Sequence, residues 1–196
     1  MSRLGSSSLA GGLFVKPWEA KPEWCESDLY FDFSQARQVI KLDDQVAAAG
    51  LTHLLKGGVD FVVEWDTQLW LLEIKDPESG AIPEQHREKQ RQRFLADIVS
   101  QSLIERHLFP KLRDSLIFLG LEYGVVNKPL RYITLIGLSD LEPAQLAGLR
   151  DRLWRTEWVS GPRYSGWRKS FDVQAFNVDQ WNRLMTKCPI LRISQQ

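Results

Sequence analysis

Two short apolar runs joined by a few polar residues are the clearest pattern in this chain. The first spans residues 58–64 and the second residues 69–75, and both are rich in Val, Leu, Ile and Trp. Runs of this length and composition are typical of strands, and the short segment between them leaves room only for a tight turn. The pattern therefore predicts a β-hairpin.

The rest of the chain alternates between helical and strand patterns. Residues 35–49 fit a helix capped by Ser34 and stopped by Gly50, although residues 38–42 fit a strand equally well. Downstream, the pattern predicts a helix over residues 84–108 with Pro110 beyond its end, a strand over 130–138, a helix to about Trp154, a strand over 171–178, a short helix over 179–185 and a strand over 190–193. This mixed order predicts an α/β fold, in which a mixed central sheet is flanked by helices on both faces.

Composition divides the chain into a short N-terminal tail and one domain. Residues 1–12 are rich in Ser and Gly, which predicts a mobile N-terminal tail. The remaining residues, 13–196, are enough to bury one substantial core, so we expect a single domain.

The hairpin register decides which side chains share a face. With a turn of two or four residues, opposed positions have numbers with the same sum, so Val62 lies opposite Leu71 and Asp60 lies opposite Glu73. These four side chains share one face, because side chains alternate between the two faces of a strand. Lys75 then shares the face of both carboxylates. The reverse face carries only apolar side chains, which are Val59, Phe61, Val63, Trp70, Leu72 and Ile74. We expect this reverse face to be core.

Composition and charge narrow the classes of function. The 196 residues contain no apolar run near the roughly 18 residues that a membrane span needs, so we expect no membrane association. Two cysteines are too few for a disulfide framework and no signal-peptide pattern is visible, which favours a cytoplasmic location. The 25 basic and 25 acidic side chains balance, which argues against nonspecific coating of nucleic acid. The sequence does not set the oligomeric state, and a homodimer stays open.

The opposed carboxylates of Asp60 and Glu73 predict a cation site. Directly opposed residues have Cβ atoms about 4.5–5.5 Å apart, so two carboxylates there repel each other unless a cation lies between them. Mg²⁺ suits such a pair, because it binds one or two carboxylates and completes its coordination with waters and substrate phosphates. Lys75 can hold a water molecule or stabilise the negative charge that develops during hydrolysis.

Asp60, twelve intervening residues and then Glu73-Ile74-Lys75 at the end of an apolar strand resemble the motif of the PD-(D/E)XK nuclease superfamily. The resemblance covers roughly residues 57–76, and the surrounding order of helix, strands, helix and strand is compatible with a restriction-endonuclease-like fold. It implies a metal-dependent nuclease that hydrolyses phosphodiester bonds, with DNA favoured over RNA. It also implies that Asp60, Glu73 and the Ile74 carbonyl bind Mg²⁺, or Mn²⁺ in its place, while Lys75 positions the attacking water.

The chain departs from the family pattern at two places. Val59 stands where the family has proline, a change with little chemical consequence because that residue supplies no ligand. Many members carry a further acidic residue on the helix before the sheet, and Asp44 or Asp43 would serve. The resemblance does not decide between those two residues.

A basic segment rich in aromatic residues suggests a second contact with nucleic acid. Trp158, Tyr164 and Trp167 are interleaved with three basic residues, which are Arg163, Arg168 and Lys169. Basic groups can follow a phosphate backbone while aromatic rings stack on bases, so we select Arg163, Trp167, Arg168 and Lys169 as candidate contacts. Aromatic rings beside arginines are also ordinary in packed loops.

Two alternatives to a nuclease remain open at this stage. The same fold can bind nucleic acid or a protein partner without catalysis, and affinity for nucleic acid would then fall with salt but need no metal. A scaffolding protein would carry Glu73 and Lys75 only as a structural ion pair, with some of its eight tryptophans at an interface.

Overall fold

The computed structural model of the protein describes residues 16–124, 127–162, 164, 167 and 171–196. In chain order the strands are β1 (Cys25–Glu26), β2 (Leu29–Phe31), β3 (Gln38–Lys41), β4 (Phe61–Glu64), β5 (Leu69–Lys75), β6 (Leu130–Ile136), β7 (Phe171–Asn177) and β8 (Ile190–Arg192). The helices are α1 (Pro17–Ala20), α2 (Leu42–Ala48), α3 (Glu84–Val99), α4 (Phe109–Glu122), α5 (Pro143–Trp154), α6 (Glu157–Ser160) and α7 (Val178–Leu184). The chain therefore has the mixed α/β character that its pattern predicts.

A five-stranded mixed sheet forms the centre of the fold, with strand order β3-β4-β5-β6-β7. The first three strands are an antiparallel meander, whereas β6 and β7 run parallel to β5. The predicted hairpin is confirmed as β4 and β5, and its register places Val62 opposite Leu71 as expected. The carboxyl ends of β5, β6 and β7 lie at one edge of the sheet.

Both faces of the central sheet are buried, in two separate hydrophobic clusters. One face carries Val62, Leu71 and Tyr132 and packs against helices α2 to α6. The other face, which includes Phe61 and Trp70, was predicted correctly as core. Val59 is the exception, because it packs on the first face. It precedes the first residue of β4, so the alternation of the strand does not extend to it.

Helices were expected on both faces of the sheet, and this prediction is only partly correct. The second face is covered by a small antiparallel sheet of order β1-β2-β8, together with the short helix α7. Strands β1 and β2 have two and three residues, too few for their pattern to be distinguished from loop. Trp181 of α7 is fully buried against this face, and its indole donates a hydrogen bond to the Cys188 carbonyl at 2.6 Å.

The segment around residues 35–49 contains both of the structures that its sequence allows. Strand β3 comes first, and helix α2 follows it directly. Gly50 then ends the helix in the left-handed conformation, with φ of 68°, as predicted for a residue without a Cβ atom. Strand β3 is the first strand of the meander.

The single helix predicted over residues 84–108 is wrong at its end. Helix α3 stops at Val99, Gln101 has a positive φ of 66°, and a π-helical turn at Ile104–Leu108 continues into α4. Pro110 lies in the first turn of α4 and does not end the helix. The preceding π turn breaks the α-helical hydrogen-bond pattern, which makes proline tolerable there.

The later elements agree with their predictions within two residues at most boundaries. The predicted strands over 130–138, 171–178 and 190–193 correspond to β6, β7 and β8, while α5 and α7 are the predicted helices. The proposed N-terminal tail, residues 1–12, lies outside the described part of the chain. Within the ranges given above, no helix combines the length and apolar character that a membrane crossing requires.

Candidate functional site

The β-hairpin brings the Asp60 and Glu73 carboxylates to one end of the central sheet. Asp60 precedes β4, and its Oδ2 accepts a hydrogen bond from the Ile74 backbone N–H at 2.6 Å. This bond fixes Asp60 beside the end of β5. The Glu73 side chain is fully buried and Asp60 is only 5% exposed, so both carboxylates occupy a site where negative charge needs compensation.

Lys75 supplies part of that compensation, as the alternation along β5 predicts. Its Nζ donates a hydrogen bond to Glu73 Oε1 at 2.6 Å, and a quarter of its side chain remains exposed. Lys75 therefore contacts the buried carboxylate from a partly exposed side chain. His107, on the π turn, lies near enough for burial and the Lys75 charge to lower its pKa.

A second lysine, which the sequence pattern did not reveal, lies between the carboxylates. Lys111 of α4 places its Nζ 3.2 Å from Asp60 Oδ1, 3.1 Å from Glu73 Oε1 and 3.2 Å from Asp43 Oδ2. We call these five residues, Asp43, Asp60, Glu73, Lys75 and Lys111, the charged cluster. One cation thus contacts carboxylates from three different segments of the chain.

The sequence does contain a signal that could have identified Lys111, because this lysine falls on the face of α4 that carries buried residues. Lys111 is spaced by four and eight residues from Ser115 and Leu119, both of which are buried, and this spacing defines one face of a helix. We missed the signal because the predicted helix ended before Pro110.

The structure brings Asp43, not Asp44, into the charged cluster. Both belong to the first turn of α2, but successive residues of a helix point in directions about 100° apart. Asp43 is half-buried and paired with Lys111, whereas Asp44 is exposed. Asp44, the other candidate for the additional acidic residue, therefore lies outside the cluster.

The mutual influence of these charges is visible in two pKa values. Burial, reinforced by the Asp60 charge, raises the Glu73 pKa from 4.5 to about 7, although Lys75 and Lys111 oppose the shift. Burial alone would lower the Lys111 pKa, but Glu73, Asp60 and Asp43 outweigh it and hold that pKa above its usual value. The cluster therefore keeps Lys111 protonated and makes ionised Glu73 costly.

Helix α4 also positions the segment that leads into Asp60. Ser115 Oγ donates to the Lys111 carbonyl at 2.6 Å and accepts from the Val59 N–H at 2.8 Å. The preceding residue of the same helix, Asp114, accepts a hydrogen bond at its Oδ2 from the Lys56 N–H at 2.6 Å. Between these two contacts the backbone needs Gly57, whose φ is 123°. The helix that carries Lys111 therefore also sets the position of Asp60.

The carboxylates of the cluster have the type and number that a divalent cation needs as ligands. The distances from their oxygens to Lys111 Nζ, however, are those of contacts with an ammonium group. Two carboxylates suffice for Mg²⁺ when waters and phosphates complete the coordination, and buried Glu73 Oε2 has no hydrogen-bond partner among the described residues. The contacts of 3.1–3.2 Å with Lys111 exceed the roughly 2.1 Å of a Mg–O bond. Accordingly, in the described part of the chain no three acidic, histidine or cysteine side chains are arranged to hold a metal ion. The Ile74 carbonyl remains a predicted ligand.

The candidate nucleic-acid contacts are only partly within the described residues. Trp167 is half exposed, and its indole donates to the Trp158 carbonyl at 3.0 Å. Trp158 in turn packs edge-on against Phe109 at the start of α4, with ring centroids 5.9 Å apart. The remaining three candidates, Arg163, Arg168 and Lys169, lie outside the described residues.

The charged cluster combines two buried carboxylates with two lysines whose side chains are both partly exposed. Such a group of residues can bind a cation, a phosphate or both. Any assignment of function depends on these side chains and their contacts. No protein-family model, curated protein or solved structure matches the chain.

Proposed function

We propose that this protein is a divalent-metal-dependent nuclease with a restriction-endonuclease-like fold, which hydrolyses phosphodiester bonds in DNA. The observation that carries the proposal is the convergence of Asp60, Glu73 and Lys75 at one end of a β-hairpin. Their spacing in the sequence resembles that of the PD-(D/E)XK motif, and the hairpin that brings these three side chains together supports the proposal. The meander of β3, β4 and β5, followed by helices and the parallel strand β6, supports the fold assignment.

The residues of the cluster would divide the chemistry among them. Asp60 and Glu73 would hold Mg²⁺, and Mn²⁺ can replace it because both ions accept oxygen ligands. When bound, the metal ion supplies Lewis-acid stabilisation of the charge that develops on the phosphate. Lys75, whose side chain is partly exposed, would donate a hydrogen bond to the attacking water or to a phosphate oxygen. The Ile74 N–H keeps Asp60 oriented.

The proposal is tested by metal-dependent cleavage of a panel of linear, nicked, branched and single-stranded DNA, with RNA included. We expect cleavage with Mg²⁺ or Mn²⁺, and a loss of about 100-fold or more in rate for Glu73→Gln and for Lys75→Met. Lys128→Met is the matched control, because Lys128 pairs with Glu64 at 2.6 Å at the other end of the same hairpin. Its rate should equal that of the wild type.

Two results would contradict the nuclease proposal. The first is no cleavage of any substrate by the wild-type protein with either metal. The second is cleavage that persists unchanged in Glu73→Gln and Lys75→Met, since the activity would then come from another site or a contaminant.

A catalytically inactive module that binds nucleic acid or a protein partner is the second candidate. The observation in its favour is that Lys75 and Lys111 already neutralise much of the carboxylate charge. Such a module would bind DNA with an affinity that falls as salt rises and does not change on adding EDTA. Asp60→Asn should leave that binding intact, whereas in the nuclease it should abolish metal-dependent binding.

A further inference from the structure

Lys111 is the member of the charged cluster whose role the proposed function does not explain. Its ammonium contacts three carboxylates at 3.1–3.2 Å, and about a fifth of its side chain is exposed. It lies at the point where the carboxylates of Asp43 from α2, of Asp60 just before β4 and of Glu73 from β5 converge. This is the point that a metal ion shared by Asp60 and Glu73 would occupy.

The hydrogen bonding of the cluster is incomplete around Lys111. Glu73 Oε1 contacts both Lys75 and Lys111, while the other oxygen of the same carboxylate, Oε2, is buried and has no hydrogen-bond partner among the described residues. Asp43 Oδ1 is in the same situation. A buried ion-pair network that serves only stability normally satisfies such atoms. These two oxygens therefore leave acceptor capacity for a ligand beyond the two lysines.

We propose that Lys111 is the resident counter-ion of this site, and that Mg²⁺ or Mn²⁺ binds to Asp60 and Glu73 by displacing its ammonium group. The inference rests on the proposed function, because it assigns the metal to the same two carboxylates. Carboxylates spaced for an ammonium at about 3 Å must close by nearly 1 Å to bind Mg²⁺. The ammonium and the metal ion cannot occupy this position together.

The fold allows the displacement that this competition requires. The backbone of Lys111 is held by Ser115, whose Oγ donates to its carbonyl at 2.6 Å. The Lys111 side chain has four methylene groups joined by rotatable bonds, and its 19% exposure brings part of it to the protein surface. Lys111 thereby keeps the metal affinity of the free protein low.

The test measures Mn²⁺ binding in the absence of nucleic acid, by electron paramagnetic resonance of the free ion. The variants are Lys111→Met, the double variant Lys111→Met with Asp43→Asn, and the control Lys128→Met. We expect Lys111→Met to bind Mn²⁺ about tenfold or more tightly than the wild type, because a unit positive charge has been removed within a few ångströms of the ion. Lys128→Met should bind as the wild type does.

The double variant separates the effect of Lys111's position on Mn²⁺ affinity from the effect of the net charge of the cluster. It also gives a second protein for the test if Lys111→Met misfolds. It removes one charge of each sign, so the net charge of the cluster equals that of the wild type, and it leaves two carboxylates where the single variant leaves three. We expect it too to bind Mn²⁺ more tightly than the wild type.

Mn²⁺ affinity in the double variant that is equal to or weaker than that of the wild type would overturn the inference, as would no Mn²⁺ binding by any of the proteins. The cleavage assay reports separately on the nuclease proposal. Tighter Mn²⁺ binding in the variants without cleavage by the wild type would refute the nuclease and retain the competition. Cleavage by the wild type with unchanged Mn²⁺ affinity in the variants would retain the nuclease proposal and refute the competition.

Discussion

At the scale of single residues, Glu73 shows how the sheet raises the pKa of a side chain. Its position near the end of a buried strand removes it from water, and the Asp60 charge disfavours its ionised form further. Two ammonium groups compensate only one of its oxygens. The residue is therefore poised to gain from an additional cation, which a surface carboxylate would not be.

The raised pKa of Glu73 predicts a specific dependence of stability on pH. The folded protein retains the Glu73 proton up to about pH 7, whereas the unfolded chain releases it near pH 4.5. Between these values the folded state binds more protons, so the free energy of unfolding falls as the pH rises. The shift corresponds to a fall of at most about 3 kcal/mol, complete above pH 7.

Urea unfolding in EDTA, from pH 4.5 to 7.5, measures this effect as a difference between the wild type and Glu73→Gln. Glutamine has the same shape but does not titrate, so the variant should lose less stability over this range. Equal pH dependence in the two proteins would contradict the raised pKa.

At the scale of elements, α4 links the hairpin to the cluster. It carries Lys111 into the site and, through Ser115 and Asp114, holds the segment from Lys56 to Val59 that leads into Asp60. A helix that contributes both a charge and the anchoring of its partner carboxylate fixes their separation. The position of Glu73 is set by the pairing of β4 with β5 and does not depend on this helix.

Removal of the Ser115 hydroxyl should destabilise the protein. In Ser115→Ala the Val59 N–H, which is fully buried, loses its acceptor. An unsatisfied buried N–H costs about 1–3 kcal/mol, and we expect a loss of that size in denaturant unfolding. Ser160→Ala is the control, because Ser160 makes the same bond to the carbonyl four residues earlier, at 3.0 Å, on a short helix away from the cluster. A loss in Ser115→Ala no larger than in Ser160→Ala would argue against the anchoring role.

At the scale of the whole molecule, Arg192 joins the small sheet to the central sheet. It lies at the end of β8, and its guanidinium forms two hydrogen bonds with Asp76, at 2.9 and 3.0 Å, just beyond β5. It also contacts Asp28, which receives a further bond from the Ser194 backbone. Residues from both ends of the described chain thus meet next to the strand that carries Glu73 and Lys75.

Arg192→Met should therefore destabilise the whole fold. The Asp76 side chain is fully buried, and removing its partner leaves an uncompensated charge, which costs about 3–5 kcal/mol. Arg131→Met is the control, because its ion pair with Asp172 is much more exposed and should contribute at most about 1 kcal/mol. Thermal unfolding of the two variants measures the difference, and equal melting temperatures would refute it.

Much of the fold follows from local pattern. The hairpin, its register and most later elements are set by the alternation of apolar residues and by nearby turn and cap residues, so a window of a few positions suffices to predict them. Strands β1 and β2 escape prediction because they have two and three residues. The continuation of the π turn into α4 escapes prediction because proline normally ends a helical pattern. The π turn before Pro110 makes this proline acceptable in the first turn of α4.

For the candidate site, the sequence by itself determined the contribution of the hairpin: Asp60 beside Glu73, with Lys75 on the same face. These residues lie within one stretch of chain, and strand alternation relates them directly. Only the tertiary structure decided that Lys111, 36 residues after Lys75, enters the cluster and that Asp43 joins it in place of Asp44. Contacts between distant segments depend on how helices pack on a sheet, and a local pattern carries no measure of that packing.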